Sequence, residues 1–200
     1  MINLPKLILA SGSPRRAEIL TSVGWEFTKD SADIDETELA GEVPEDYVQR
    51  LAKEKAERVA QKYTDAIILG ADTTVVINDQ IIGKPVDLAD AKRMLKMLSG
   101  NWHEVLTGVA LVKVSSSKSQ VPSLKSVVGI QSTRVKFAAM SESEIEFLAE
   151  KGDPLDKAGA YAVQAQAALF IEKIEGDYWN VVGLPVSLVY GLIQDLSGHG

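Results

Sequence analysis

The hydrophobic positions along the chain switch repeatedly between strand-like and helix-like spacing. The segment 6–10, apolar from residue 7 on, and the continuous apolar run at 66–70 predict buried strands, whereas apolar residues three or four positions apart predict a helix over 44–62. The same criteria predict strands at 25–29, 73–77, 81–82, 103–114, 127–137, 160–164 and 168–174, and helices at 14–23, 88–98, 141–150 and 185–196. This succession, with several hairpin-like reversals, indicates an α/β protein with a mixed central β-sheet flanked by helices.

Two polar segments separate these elements. Residues 30–42, here called the acidic loop, are rich in carboxylates and lack helical or strand periodicity, which predicts a functional loop. Residues 115–126 are rich in Ser and Lys and are predicted to be a disordered connection. No shift in composition marks a linker and no internal repeat is visible, so residues 1–200 are predicted to form a single domain.

The net charge and the residue usage exclude several classes of function. With 28 acidic and 21 basic residues the net charge is −7, which opposes nonspecific binding to nucleic acid or to anionic membranes but permits a small anionic ligand. The chain has no cysteine, so a bound metal needs oxygen or histidine ligands, and disulfides and cysteine nucleophiles are excluded. The apolar stretch 7–10 is too short to span a bilayer, and we expect a cytoplasmic protein.

A loop of small residues precedes the first helix and carries the densest chemical signal. Its sequence over 11–16 is SGSPRR, in which Pro14 suits the first helical position and Ser13 the N-cap. Loop amides, the helix dipole and the guanidiniums of Arg15 and Arg16 all favour a bound phosphate. A plain capped helix with solvated arginines is the alternative. The segment lacks the Lys-Ser/Thr ending of a P-loop.

A carboxylate within an apolar strand pair is the second signal. Asp72 follows the buried run 66–70 and precedes the strand 73–77, and a buried carboxylate needs either a cation or hydrogen-bond donors as partners. Turn amides are the alternative partners. The hairpin after the second strand returns Lys84 toward Asp72, so the sequence favours a cation.

The acidic loop offers oxygen ligands for a divalent cation. Its carboxylates at Asp33, Asp35, Glu36 and Glu38 are close in sequence, and Mg²⁺ uses few protein ligands while it shares substrate phosphates and water. Spacing alone favours a solvated acidic loop over a metal site. A histidine zinc site has little support, because the second histidine of the chain lies in its tail, and His103 is expected to have a core role.

Seven short sequence blocks occur in order over nearly the whole chain. They are LASGSPRR at 9–16, DIDET at 33–37, GADT at 70–73, GKP at 83–85, TGV at 107–109, DKAGAY at 156–161 and NVVGLP at 180–185. Together they resemble the Maf family of nucleoside triphosphate pyrophosphatases. The resemblance implies a mixed-sheet fold related to that of inosine triphosphatase, with two lobes and an active site in the cleft between them, and a homodimer.

The resemblance also implies a reaction and the residues that carry it. A nucleoside triphosphate is hydrolysed to the monophosphate and pyrophosphate with a divalent cation, Mg²⁺ or Mn²⁺. The implied catalytic residues are Asp72 as proton acceptor with Glu36, Lys55 and Lys84; the implied substrate-binding residues are Ser11, Ser13, Arg15, Thr73 and Gln164; and the implied metal ligands are Glu36 and Asp72. Attack at the α-phosphorus suits this set, because its cations neutralise a polyanion.

Residue 164 bears on the choice of nucleotide. DKAGAY followed by Gln164 resembles the branch of the family that acts on dTTP and UTP, and a carboxamide offers both a donor and an acceptor to the imide edge of uracil or thymine. Ala165 stands where that branch usually has glycine, so a pyrophosphatase of modified or methylated nucleotides is an alternative. A non-catalytic nucleotide-binding regulator of cell division is a second alternative.

Overall fold

A computed structural model describes residues 4–115 and 123–197. The strands in these ranges are β1 (Leu7–Leu9), β2 (Phe27–Lys29), β3 (Ala66–Ile77), β4 (Gln80–Ile82), β5 (Trp102–Ser115), β6 (Ser123–Phe137) and β7 (Ile171–Glu175). They form one sheet in the order β2-β1-β3-β5-β6-β7, with β4 paired to β3. β1 pairs in parallel with β2 and β3, whereas the β3–β4 and β6–β7 pairs are antiparallel. The predicted mixed sheet is therefore confirmed.

Six helices accompany the sheet within the described residues. They are α1 (Pro14–Ser22), α2 (Pro44–Ala60), α3 (Leu88–Leu98), α4 (Glu142–Lys151), α5 (Tyr178–Val182) and α6 (Val186–Ser197). Local signals locate several of their ends: Pro14 begins α1 after Ser13, and Ser141 with Glu144 forms the predicted capping box of α4. None of these described helices has the length and apolar character needed to cross a membrane.

The chain forms two compact units. The first unit comprises residues 1–72, 107–131 and 183–200, and the second comprises residues 73–106 and 132–182, in each case within the described ranges. β3, β5 and β6 each contribute one part to each unit. The single domain with two lobes stays a prediction.

Helix α2 lies directly against two strands of the first unit. Its buried face includes Ala52 and Ala56, which pack with apolar residues of β1, β3 and β5. A Cβ added at Gly70 would lie 2.1 Å from the carbonyl oxygen of Ala52, and one at Gly108 would lie 2.2 Å from that of Val48. The two backbones approach so closely that only glycine fits, and this contact determines which side chains of α2 meet β3.

Several predicted strands differ from the structure: β2 begins at Phe27 and not at 25, and β7 begins at Ile171 and not at 168. β3 runs without interruption from Ala66 to Ile77, so Asp72 lies inside a strand and not between two strands. Residues 160–164 form no strand, because Gly159 and Ala160 have left-handed φ angles of 68° and 64° that an extended chain does not adopt. This part of the second unit instead contains short 3₁₀ segments at Pro154–Asp156, Ala158–Ala160 and Gln166–Leu169.

Strands include both ends of the segment predicted to be a disordered connection. Ser115 ends β5, and β6 already begins at Ser123, so both ends of the predicted 115–126 segment belong to strands. The remaining residues, 116–122, lie outside the described part of the chain. The extension of β6 shows that a polar composition rich in Ser and Lys is compatible with a strand whose side chains are exposed.

Candidate active site

A buried lysine joins two carboxylates in the first unit. Lys55 projects from α2, and its Nζ atom lies 2.6 Å from Asp72 Oδ1 and 2.7 Å from Glu36 Oε1. Lys55 and Asp72 are each only 8% exposed, whereas Glu36 reaches them from the exposed acidic loop. Two carboxylates compensate the charge of the ammonium at this depth. We call these three side chains the Lys55 cluster.

Strand and helix geometry explains why the Lys55 cluster forms. Gly70 and Asp72 are two positions apart in β3, so they lie on the same face of that strand. This face meets α2 at Gly70, where the backbone of Ala52 and Ala56 is in contact with the strand. Lys55 lies between those two alanines in sequence and therefore reaches Asp72. The partner of Asp72 is thus a cation, as the sequence favours, and it comes from α2.

Arg16 is buried beneath the loop that precedes α1. Its Nη1 atom donates a hydrogen bond to Ser11 Oγ at 2.9 Å, and its Nε atom donates to the carbonyl oxygen of Gly183 at 2.9 Å. Ser11 Oγ also accepts from the amide of Ser13 at 3.2 Å. Burial lowers the pKa of Arg16, and the nearby negative charge of Asp72 acts in the opposite direction. The alternative of a capped helix with solvated arginines is therefore wrong for Arg16.

The sequence makes both arginines candidates for phosphate binding, and the family resemblance assigns that role to Arg15. Arg15 is partly buried in the first turn of α1, and its assigned role stays a prediction. The sequence does contain a signal that Arg16 is buried. Ile19 and Leu20 follow it by three and four positions, so the three residues share the buried face of α1. A charged group on an apolar face needs polar partners, and here a hydroxyl and a carbonyl supply them.

Helix α2 also contacts the acidic loop. Tyr47 Oη donates to the main-chain carbonyl of Glu36 at 2.9 Å, and Arg50 donates to Glu42 through Nε at 2.6 Å and Nη2 at 2.7 Å. Burial and the negative charges of Asp72 and Glu36 raise the pKa of Tyr47 to about 12. Hydrogen bonds from Arg50 lower the pKa of Glu42 to about 2. Tyr47 is therefore neutral, and Glu42 charged, at neutral pH.

The Arg50–Glu42 pair predicts a pH dependence of stability. The pKa of Glu42 falls from an ordinary 4.5 to about 2 on folding, so the pair stabilises the fold above pH 4.5 and loses that contribution as the pH falls through about 2. Glu42→Gln is expected to lower the urea midpoint at neutral pH. The difference in urea midpoint between Glu42→Gln and the wild type should become smaller as the pH is lowered from 4.5 toward the folded-state pKa of Glu42, about 2. A difference in urea midpoint that is the same at neutral pH and at that acidic limit would contradict the lowered pKa of Glu42.

The carboxylates of the Lys55 cluster also suit a hard cation. In the described part of the chain no group of three or more histidine, aspartate and glutamate side chains is placed to bind a metal ion. Glu36 and Asp72 nevertheless each place one carboxylate oxygen against Lys55 Nζ, so the two carboxylates lie close together. Mg²⁺ is commonly held by one or two carboxylates together with substrate phosphates and water. The pair therefore fits a cation that arrives with a phosphorylated substrate, and its role as metal ligand stays a prediction.

His103 has the core role that the sequence predicts. In the second unit its Nε2 atom lies 2.7 Å from Tyr161 Oη, and its ring centroid lies 5.5 Å from that of Phe137. Burial lowers the pKa of His103 to about 3. The imidazole is therefore neutral at physiological pH. It packs against Phe137 and contacts the hydroxyl of Tyr161, and these contacts give no support to a zinc site.

The remaining predicted site residues belong to the second unit. Thr73 is half-buried in β3, Lys84 is exposed just after β4, and Gln164 is exposed before the 3₁₀ segment Gln166–Leu169. Their proposed contacts with phosphate and base stay predictions, including the approach of Lys84 toward Asp72.

Two of the sequence blocks also supply buried polar groups to the second unit. In the DKAGAY block, Lys157 Nζ lies 2.6 Å from Asp156 Oδ1. In the NVVGLP block, Asn180 Nδ2 donates to the carbonyl of Val105 at 2.8 Å and to Thr133 Oγ1 at 3.1 Å, and thereby joins β5 to β6. Lys157 and Asn180 therefore have structural contacts that the sequence did not assign.

Comparison with known proteins gives relatives for both the sequence and the fold. A sequence model of the family described as Maf-like protein matches residues 6–196. A Hahella chejuensis protein named dTTP/UTP pyrophosphatase is 48% identical over 195 residues, which cover 96% of this chain and 92% of that protein. A Geotalea uraniireducens protein of the same name is 49% identical over 191 residues, with coverage of 96% and 95%. The Staphylococcus aureus Ham1 protein has a similar fold, with a TM-score of 0.51 and 12% identity over 95% of this chain and 98% of its own.

Proposed function

The chain belongs to the Maf family, and from this premise we propose that it is a nucleoside triphosphate pyrophosphatase. The reaction splits the bond between the α- and β-phosphates and releases a nucleoside monophosphate and pyrophosphate. Relatives named dTTP/UTP pyrophosphatase align with nearly all of this chain. The proposal therefore concerns the chain as a whole and not one segment of it.

The observation that carries the proposal is the Lys55 cluster beside the buried Arg16. Two cations and two carboxylates occupy one region, since the charges of Asp72 and Glu36 both act on Arg16. Phosphoryl chemistry depends mainly on positioning and on electrostatic stabilisation of phosphate oxygens. A carboxylate nearby adds a group that can accept a proton from water. This combination supports hydrolysis of a phosphoanhydride.

In the proposed step, water attacks the α-phosphorus and a proton passes from that water to Asp72. The new bond joins the water oxygen to phosphorus, while the bridging oxygen leaves with the electron pair of the broken bond as part of pyrophosphate. Lys55, 2.6 Å from Asp72, orients the carboxylate before the attack. Ser11, Ser13 and Arg15 would bind phosphate oxygens at the start of α1, where amides and the helix dipole favour anions.

A divalent cation fits this chemistry and would be held by Glu36 and Asp72. Their carboxylates lie close together because each contacts Lys55 Nζ through one oxygen, and two carboxylates suffice when phosphate and water complete the coordination. When bound, Mg²⁺ or Mn²⁺ supplies charge neutralisation to the triphosphate.

The proposed substrates are dTTP and UTP, and Gln164 is the residue proposed to select them. Its carboxamide is exposed, and it offers the donor and the acceptor that the imide edge of thymine or uracil requires. Thr73 is proposed as a second specificity position and Lys84 as a further phosphate ligand. The cytoplasmic location and the homodimer that the resemblance implies form part of the same proposal.

A panel of nucleotides tests this function. Each of dTTP, UTP, CTP, GTP and a methylated GTP is incubated with Mg²⁺ or Mn²⁺, and pyrophosphate and orthophosphate are measured separately. We expect pyrophosphate alone, with kcat/KM for dTTP and UTP at least about tenfold above the others. Release of orthophosphate would contradict the reaction. A preference for methylated GTP would favour a pyrophosphatase of modified nucleotides, and binding without turnover would favour a regulator.

A further inference from the structure

The acidic loop depends on side chains of α2 for its position. We propose that Tyr47 and Arg50 are positioning residues that hold Glu36 in place for hydrolysis, an inference that rests on the proposed function. Within the Lys55 cluster, Lys55 belongs to a helix and Asp72 to a strand, whereas Glu36 belongs to neither. The Glu36 side chain is also 46% exposed. Its location is therefore set by whatever fixes the main chain of the acidic loop.

Helix α2 binds Glu36 at two points. Lys55 Nζ binds the carboxylate at 2.7 Å, and Tyr47 Oη donates to the main-chain carbonyl at 2.9 Å. Tyr47 and Lys55 are eight positions apart in the row of residues that forms one side of α2. The same helix therefore fixes both the backbone and the side chain of Glu36.

Arg50 fixes the part of the acidic loop that follows. Its Nη2 atom donates to the carbonyl of Thr37 at 3.1 Å, and its guanidinium binds both carboxylate oxygens of Glu42 at 2.6 and 2.7 Å. Glu42 in turn accepts from the amide of Leu39 at 3.1 Å. The guanidinium also lies over the ring of Tyr47, 5.6 Å from its centroid. The planar guanidinium of arginine has several N–H donors and can make these contacts at the same time. The single ammonium of a lysine cannot.

Loss of these contacts should affect Glu36 more than the rest of the site. The pairing of Lys55 with Asp72 joins two buried residues on α2 and β3 and does not involve the acidic loop. Glu36 would keep its attraction to Lys55 but lose the backbone support that limits its freedom. A displacement of about 1 Å in a reacting group can lower a rate by up to about 10²-fold. The expected defect is therefore mainly in kcat, with only the small loss of stability that a weaker Arg50–Glu42 pair brings.

Two conservative variants test the proposal. Tyr47→Phe removes one hydroxyl, and Arg50→Lys keeps the positive charge but removes the planar guanidinium. Each is expected to lower kcat for dTTP about tenfold while KM changes less than about twofold. Hydrogen exchange should become faster for the amides of residues 36–42 and stay unchanged in β3. A thermal unfolding midpoint close to that of the wild type would exclude global unfolding as the cause.

Tyr63→Phe is the matched control. Tyr63 Oη donates to Asp30 Oδ2 at 3.1 Å, so this variant also removes a tyrosine hydroxyl that contacts the acidic loop, but at the end far from Glu36 in sequence. We expect its kcat to stay within about twofold of the wild type.

Three results would overturn the positioning role. These are an unchanged kcat in both test variants, unchanged exchange in residues 36–42, and an equal loss of activity in Tyr63→Phe. If the wild type releases no pyrophosphate from any nucleotide, the proposed function fails. The exchange measurement then still decides whether Tyr47 and Arg50 hold the loop.

Discussion

The Asp72→Asn variant is expected to lose about 10³-fold in kcat while it binds dTTP nearly as well as the wild type. Asparagine has nearly the same shape as aspartate but does not accept the proton of the attacking water. Its side-chain oxygen still accepts a hydrogen bond from Lys55, and Glu36, 2.7 Å from Lys55, still compensates the ammonium. The fold and the proposed phosphate contacts at the start of α1 should therefore persist.

Pyrophosphate release in a single turnover, together with calorimetric titration of dTTP, separates catalysis from binding in this variant. Asp30→Asn is the matched control, because Asp30 forms a 2.6 Å ion pair with Lys62 elsewhere in the first unit. It removes the same charge and should keep kcat within about twofold. Near-normal turnover of Asp72→Asn would reject Asp72 as the proton acceptor. A cellular effect that survives the loss of turnover would support the regulator alternative.

The Gly70→Ala variant is expected to lower the free energy of unfolding by about 3 kcal/mol or more. The added Cβ would lie 2.1 Å from the carbonyl oxygen of Ala52 and 2.9 Å from the amide nitrogen of Ala56. Both atoms are backbone, so α2 must move away from β3 to make room. Since Lys55 lies on that stretch of helix, the movement should also separate it from Asp72. Urea denaturation and kcat of the remaining folded protein measure the two effects.

Gly191→Ala provides the matched control for Gly70→Ala. Gly191 is exposed within α6, and no atom lies within 4 Å of a Cβ added there. Because alanine favours the helical conformation over glycine, this variant is expected to raise the free energy of unfolding by roughly 0.5–1 kcal/mol. Wild-type stability of Gly70→Ala would contradict the close contact between α2 and β3.

The fold was predictable where local signals agree with one another. Helix α3 occupies the predicted 88–98 because its apolar period coincides with an N-cap, in which Asp87 accepts from the amide of Asp90. The sequence predicts two strands in place of β3, because the charged residue Asp72 interrupts an apolar run. The strand continues because Lys55, a tertiary partner 17 positions away, compensates that charge. No local pattern carries such information.

The members of the candidate site were easier to predict than their contacts. The family resemblance names Glu36, Lys55 and Asp72 as catalytic residues, yet it does not predict that Lys55 binds the other two. Their meeting depends on the close packing of α2 at Gly70, which spacing along the chain does not encode. The buried contacts of Arg16 were not predicted for a similar reason, since its acceptor, the carbonyl of Gly183, is 167 positions distant.

The bond between Arg16 and Gly183 connects the first sequence block to the last. A fragment that stops before residue 183 would lack this acceptor, and the guanidinium that binds Ser11 would lose its hydrogen bond to the end of the chain. The amino-terminal loop leaves the ribosome early, but it acquires this support only after the carboxy-terminal block has been synthesised. Premature termination or proteolytic removal of the end of the chain should therefore impair a site whose other residues are all present.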